Sequence, residues 1–107
     1  MATPATVTHK DLEEFERAVP TFVMQNPPSP DPRLAAPLSL YHRRYAGLLR
    51  DGHRALYVSF IAPNIPGDPR MWRAKLWDVC DGGVALFGVE YDLDTHTFTH
   101  IAYNLAV

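Results

Sequence analysis

The residues best suited to chemistry lie in the last third of the chain, where a cysteine, several carboxylates and two histidines follow one another. The segment Asp81-Gly82-Gly83 could bind phosphate if a helix followed it, because the free N–H groups at a helix N-terminus bind anions. The residues that follow, VALFGVEY, are instead typical of a strand. We therefore predict that the two glycines form a hairpin turn, where they can adopt positive φ without a steric clash.

Cys80 precedes this turn and is the single cysteine of the chain. A nucleophilic thiolate needs a neighbouring cation or a base. The neighbours Asp78 and Asp81 are acidic and oppose the formation of a thiolate, so we expect a structural thiol. A lone cysteine also excludes an intrachain disulfide and a cysteine-rich zinc site.

The segment DLDTHTFTH places Asp92, Asp94 and His96 at alternate positions, but it lacks the glycine and the distal glutamate of a calcium loop. We predict a turn in which Asp92 accepts backbone hydrogen bonds and His96 adopts positive φ. A zinc site would need a third ligand, and the spacing supplies none for either histidine pair. These pairs are His96 with His100 and His42 with His53. No metal and no cofactor are therefore predicted.

Length and composition indicate one domain whose net charge is too small to suggest binding to a polyanion. The chain has 107 residues, of which 47% are hydrophobic and 21% charged, and its formal net charge is −2. Such a balance argues against nucleic acid and against an anionic membrane surface as partners. The first residues contain no apolar signal sequence, and no apolar run approaches a membrane span. We therefore expect one domain over residues 1–107 and a cytoplasmic location.

A single helix is predicted near the N-terminus, after a flexible lead-in over residues 1–7. Thr8 followed by Asp11 forms a capping box, and apolar residues then recur at helical spacing over 9–24. Pro20 should kink the helix or break it into two pieces, because proline removes a backbone donor. The segment 26–37 holds half of the ten prolines and is predicted to be a stiff connector.

The rest of the chain alternates in the manner of β-strands. Asp51-Gly52 is a strong hairpin signal between residues 41–50 and 53–62. A second amphipathic helix over 39–50 is the competing interpretation, but the firm strand ALYVSFI favours the hairpin. The remaining predicted strands are MWRAKLWDVC at 71–80, VALFGVEY at 84–91 and TFTHIAYNL at 97–105, in meander order.

These elements predict an α+β fold, with one N-terminal α-helix packed on a curved antiparallel meander sheet of about five strands. The arrangement resembles the cystatin-type fold in architecture. The Gln-x-Val-x-Gly loop of that family is absent, and Trp72 lacks the proline expected before it. The inhibitory residues of cystatins are therefore carried over to no position of this chain.

Most aromatic residues fall in the sheet half, and one sheet face covered by one helix is not expected to hold them all. This surplus, together with the missing catalytic constellation, favours a non-catalytic protein-binding or self-associating module, with a homodimer as one form. The partner-binding residues would be Tyr41, Arg43, Tyr45, Trp72, Arg73 and Trp77. Contact through an edge strand is a further route. The alternative is a small-molecule pocket or weak enzyme with a site between helix and concave sheet, formed by Phe15, Tyr57, Trp77, Asp78, Phe87 and His100.

Overall fold

An antiparallel sheet with one long helix against it forms the α+β architecture of this chain. The computed structural model describes residues 3–29, 32–63 and 86–103. The elements are β1 (Thr3–Pro4), α1 (His9–Gln25), a 3₁₀ turn (Leu38–Leu40), β2 (His42–Arg50), β3 (His53–Ile61), β4 (Leu86–Asp92) and β5 (Thr97–Tyr103). The strands lie side by side in the order β1 to β5. Within these ranges, no helix is both long and apolar enough to cross a bilayer.

Helix α1 begins at the predicted capping box. The Asp11 N–H donates to the Thr8 hydroxyl at 3.1 Å, and the Thr8 N–H donates to the Asp11 carboxylate at 2.9 Å. The helix continues through Pro20, so the predicted break into two pieces does not occur. Three buried residues at helical spacing, Phe15, Val19 and Val23, lie on both sides of the proline. Their burial against the sheet outweighs the loss of one backbone hydrogen bond.

Strands β2 and β3 form the predicted hairpin, and the alternative helix over 39–50 is wrong. The register runs from His42 opposite Ile61 to Arg50 opposite His53. Asp51 and Gly52 both have positive φ, 53° and 81°, as a type I′ turn requires. Glycine adopts this conformation freely, so the two-residue turn fits the twist of the strands.

The first described residues lie along the outer edge of β2, although 1–7 were expected to be a flexible lead-in. Strand β1 pairs with Leu48 and Leu49, and the Ala5 N–H donates to the Gly47 carbonyl at 3.1 Å. A Cβ at Gly47 would collide with the Val7 side chain and the Ala5 backbone. The absence of a side chain at Gly47 therefore permits this close approach.

Strand β3 pairs directly with β4, from Ala55 opposite Asp92 to Ile61 opposite Leu86. The predicted meander placed residues 71–80 between these two strands, and this order is wrong. Turn residues and alternation identify strands, but they do not specify which strand pairs with which across a long connection. The predicted strand 71–80, Cys80 and the predicted turn Asp81-Gly82-Gly83 lie outside the described residues.

The core is an aromatic layer between α1 and the sheet. The Phe15 ring is unexposed, and its centroid lies 6.2 Å from Phe60, 6.0 Å from Tyr91 and 5.9 Å from Phe98. Phe60 stacks on Phe87 at 4.8 Å and extends the layer. Further rings that pack in or against it are Phe22, Tyr41 and Tyr103. Most of the described rings that were expected to be in surplus pack in or against this layer. The layer has room for them because α1 contributes only two aromatic rings, those of Phe15 and Phe22.

Candidate functional site

Tyr41, the first predicted partner-binding residue, is part of the core. It is 3% exposed, and its ring meets Phe87 edge-on at 5.3 Å. The Ala35 N–H donates to the Tyr41 hydroxyl at 3.1 Å. Burial raises the pKa of this hydroxyl. Tyr41 therefore links the proline-rich connector, residues 26–37, to the sheet.

Arg43 and Tyr45 both bind Glu16 of α1, and we call these three residues the Glu16 cluster. Arg43 donates to the two Glu16 carboxylate oxygens through Nε and Nη2, each at 3.1 Å. The Tyr45 hydroxyl donates to Glu16 Oε2 at 2.6 Å. Desolvation, reinforced by this carboxylate, raises the pKa of Tyr45 to about 12. Both side chains are thus engaged within the chain, and they join β2 to the helix.

Arg43 has two further roles in the fold. Its Nη1 donates to the carbonyls of Leu38 and Tyr41, at 2.9 and 2.6 Å. Its guanidinium carbon also lies 4.9 Å from the Phe60 ring centroid, within the range of a cation–π contact. The other predicted partner-binding residues, Trp72, Arg73 and Trp77, lie outside the described part of the chain.

The residues of the predicted alternative pocket lie on opposite sides of the sheet. Phe15 and Phe87 are unexposed in the aromatic layer that faces α1. Tyr57 and His100 are the register partners of Glu90, one on each neighbouring strand. Since side chains alternate along a strand, Tyr57, Glu90 and His100 share the face turned away from α1, here called the outer face. Asp78 lies outside the described residues.

A polar pocket of about 300 Å³ opens on the outer face. It is lined by Arg50, Asp51, His53, Ala55, Glu90, Asp92 and Thr99. Glu90 is 6% exposed, and Arg50 Nε donates to its Oε2 at 2.8 Å. Ala55, which lies opposite Leu48 on β2 and Asp92 on β4, also lines the pocket. Alternation along β4 does not reveal the burial of Glu90, because this burial depends on residues that are distant in sequence, such as Arg50.

Three ligand-type side chains converge at the rim of this pocket. His53 Nδ1 lies 3.1 Å from Asp92 Oδ2. One candidate ligand atom each from His53, Asp92 and Asp94 lies within 4.8 Å of the others. The pairing of β3 with β4 brings His53 to the two carboxylates, which are remote from it in sequence. Spacing therefore could not reveal the third ligand that His53 lacked.

The β4–β5 turn has the predicted structure. Asp92 Oδ1 accepts from the N–H groups of Asp94 and Thr95, both at 2.9 Å. His96 has a φ of 59°, as expected. Its Nδ1 lies 2.7 Å from Glu14 Oε2, which also accepts from the Tyr91 hydroxyl at 2.6 Å. This contact holds the turn to α1, and it raises the pKa of His96 while it lowers that of Glu14.

An apolar recess of about 470 Å³ lies between the end of α1 and the connector. Its lining is Pro20, Val23, Met24, Pro27, Pro28, Pro32, Leu34 and Leu38. Met24 is 79% exposed at its rim. The lining contains no ionisable side chain that would orient a polar ligand.

The two edges of the sheet differ in their protection. Strand β5 ends the order of strands, and no strand of the described ranges lies beyond it. Its sequence, TFTHIAY, contains no Lys, Arg, Asp, Glu or Pro. Thr97, Thr99 and His100 are exposed. At the other edge, β1 covers part of β2, and the rest of β2 carries Arg43 and Arg44.

Comparisons with protein-family models, with curated proteins and with solved structures find no match for this chain. An assignment of function therefore depends on the geometry of its own residues. Among the described surfaces, the uncharged β5 edge and the polar pocket of the outer face are the most informative about function.

Proposed function

We propose that this chain is a non-catalytic, self-associating module that forms a homodimer by pairing the β5 edges of two copies. The observation that carries the proposal is the uncharged, seven-residue strand β5 at the end of the sheet. Exposed backbone N–H and C=O groups along such an edge form a template for another strand. Proteins that remain monomeric protect these edges with charges, prolines or short strands.

The opposite edge of the same sheet shows this protection. There, a two-residue strand that contains Pro4 covers part of β2, and the uncovered part includes Arg43 and Arg44. Strand β5 has one protective device, a bulge at the register shift between Glu90 and Tyr91. The bulge leaves His100–Tyr103 in regular antiparallel register with β4. This regular half of β5 is the part we expect to pair.

Self-pairing fits the chemistry of β5. A two-fold axis through Ile101, normal to the sheet, places Ile101 opposite its own copy and His100 opposite Ala102. No carboxylates or ammonium groups then face each other, and β-branched pairs stabilise antiparallel strands. The result is an isologous interface that closes after two copies. Both α1 helices would lie on the same side of one continuous sheet.

The β5 edge is a better candidate for the site of self-association than the surface of aromatic and arginine residues that the sequence predicted. The Glu16 cluster and Tyr41 are engaged inside the chain, and most described rings lie in the core. A cystatin-like arrangement is part of the proposal, supported by the order of one long helix followed by antiparallel strands. Pairing with an extended segment of a different protein would use the same edge.

The proposal predicts a dimer whose stability follows the charge pattern of β5. In the His100→Lys/Ala102→Lys variant, the lysine at position 100 of each copy faces the lysine at position 102 of the other copy across about 5 Å. Two such like-charged pairs should weaken dimerisation at least ~10-fold. In His100→Lys/Ala102→Glu, the same positions carry opposite charges, and dimerisation should return to the wild-type range. Sedimentation equilibrium at low ionic strength would measure both dissociation constants.

Ala46→Lys is the matched control, since Ala46 is exposed in the same cross-strand row and on the same face, at the far side of the sheet. It should dimerise as the wild type does. A wild-type protein that stays monomeric at millimolar concentration would refute self-association. A dimer that all three variants leave unchanged would place the interface elsewhere and refute the role of β5.

A further inference from the structure

We propose that His53, Asp92 and Asp94 bind a divalent transition-metal ion, with Zn²⁺ as the reference case, at the rim of the outer-face pocket. This site is separate from the β5 edge and independent of self-association. The three side chains extend from the start of β3, the end of β4 and the turn that follows β4.

The distances suit coordination after small side-chain rotations. The three candidate ligand atoms lie within 4.8 Å of one another. Tetrahedral zinc, with bonds near 2.0–2.1 Å, places its ligand atoms about 3.3 Å apart. His53 Nδ1 and Asp92 Oδ2, at 3.1 Å, already meet this spacing. Only the Asp94 carboxylate has to move closer to the other two ligand atoms.

Backbone contacts prearrange the two carboxylates. Asp92 uses Oδ1 to accept from Asp94 and Thr95, so its Oδ2 remains directed toward His53. Asp94 Oδ2 accepts from the Arg54 N–H at 2.9 Å, which holds this carboxylate against the start of β3. The turn and the strand pairing thus supply the rigidity that a metal site requires.

The donor set selects the class of ion. One imidazole nitrogen with two carboxylates suits Zn²⁺, Co²⁺, Ni²⁺ or Mn²⁺, whereas Ca²⁺ and Mg²⁺ prefer sites made of oxygen. The two carboxylates balance the charge of a divalent ion.

Among the described residues, the Arg54 guanidinium competes with a metal ion for Asp94, and it also binds a second carboxylate. Arg54 Nε lies 3.4 Å from Asp94 Oδ1. The same guanidinium also binds Asp11 of α1, with Nη1 at 3.2 Å from Oδ2. A metal ion would displace the longer contact with Asp94, while the contact with Asp11 could remain.

The fourth coordination position of an ion bound by these three side chains would lie in the pocket. His53 and Asp92 both line the cavity of about 300 Å³ that also contains Glu90 and Arg50. Three protein ligands leave one position of a tetrahedral ion available to water or to a small ligand. An ion bound here would therefore face the pocket.

Calorimetric titration of the untagged protein with ZnCl₂ tests the site, and Co²⁺ absorption reports its coordination. We expect one ion per chain. His53→Ala should weaken Zn²⁺ binding at least ~10-fold, and Asp92→Asn should do the same. Mutation of residues that only hydrogen-bond to a metal ligand already lowers metal affinity about 10–100-fold, and loss of a ligand itself should lower it at least as much. The asparagine keeps an amide oxygen for the turn, so its circular dichroism should match that of the wild type. His42→Ala, at the other end of the β2–β3 hairpin, should bind Zn²⁺ as the wild type does.

Three results would overturn the proposal. The first is a wild-type affinity no higher than that of His53→Ala, and the second is an equal loss in His42→Ala. The third is displacement of Zn²⁺ by equimolar Mg²⁺, which would indicate a site made of oxygen alone. Repeating the titration on His100→Lys/Ala102→Lys separates metal binding from dimerisation, since the affinity should be retained there.

Discussion

Replacing Glu16 with alanine tests whether Arg43 and Tyr45 serve the fold or a partner. In the native chain, the Glu16 carboxylate accepts three hydrogen bonds, two from Arg43 and one from Tyr45. Removing it leaves the Arg43 guanidinium, whose side chain is 16% exposed, without its carboxylate. The Tyr45 hydroxyl also loses its acceptor. We therefore expect a less stable protein.

The size of the loss in the free energy of unfolding follows from the solvent exposure of the Glu16 cluster. A hydrogen bond to a charged group contributes about 1.5–3 kcal/mol when it is well shielded from water. The Glu16 side chain is 32% exposed, so solvent screening reduces these contributions. We expect a total loss of about 2 kcal/mol in the free energy of unfolding. For a domain of this size that corresponds to a decrease of about 10 °C in Tm.

Urea denaturation followed by tryptophan fluorescence would measure the loss. Glu13→Ala is the matched control, because Glu13 lies one turn earlier on α1 and pairs with exposed His9. It should cost less than about 0.5 kcal/mol. Spectrophotometric titration adds a second readout: the pKa of Tyr45, raised to about 12, should fall in Glu16→Ala but stay above its ordinary value, since desolvation remains. Equal stability of both variants and an unchanged tyrosine titration would refute the structural role of the Glu16 cluster.

Two further predictions concern α1 and the β4–β5 turn. Since contact with Glu14 raises the pKa of His96, its contribution to stability is full below the unfolded value of 6.5 and is lost as pH rises through the folded value. His96→Asn, which tolerates positive φ, should thus destabilise more at pH 6 than at pH 8.5, and a difference independent of pH would contradict the contact with Glu14. Phe15→Ala should cost about 3–5 kcal/mol in urea denaturation, because it empties the centre of the aromatic layer. Half-buried Phe22→Ala should cost clearly less, and equal losses would argue against the placement of α1.

The local features of the fold could be predicted from sequence. The Thr8–Asp11 capping box, the Asp51-Gly52 turn and the Asp92-capped turn each depend on residues no more than four positions apart. Steric and hydrogen-bonding preferences act at that range, so sequence determines them directly. The helix predicted over 9–24 is present, but sequence left open whether Pro20 breaks it, because the burial of Val23 beyond the proline is a tertiary effect.

Features that depend on strand pairing could not be predicted. The contact of His53 with Asp92 requires β3 and β4 to be neighbours, and alternation gives no information on neighbours. The burial of Glu90 and the engagement of Arg43 by Glu16 depend likewise on distant elements. For this reason, the described residues that were chosen by type as a binding surface are engaged within the chain: Tyr41 lies in the core, and Arg43 and Tyr45 bind Glu16. The polar pocket, which depends on the same long-range pairing, was not anticipated.

The unequal connections between strands have a consequence for how the chain folds. Turns of two and four residues join β2 to β3 and β4 to β5, whereas β3 reaches β4 through residues 62–85. Bringing together the ends of this longer stretch of the unfolded chain costs about 1.6 kcal/mol more conformational entropy than closing the four-residue turn. The two hairpins are therefore expected to nucleate as independent units, and their docking along β3 and β4 is the step that commits the polypeptide to its native topology.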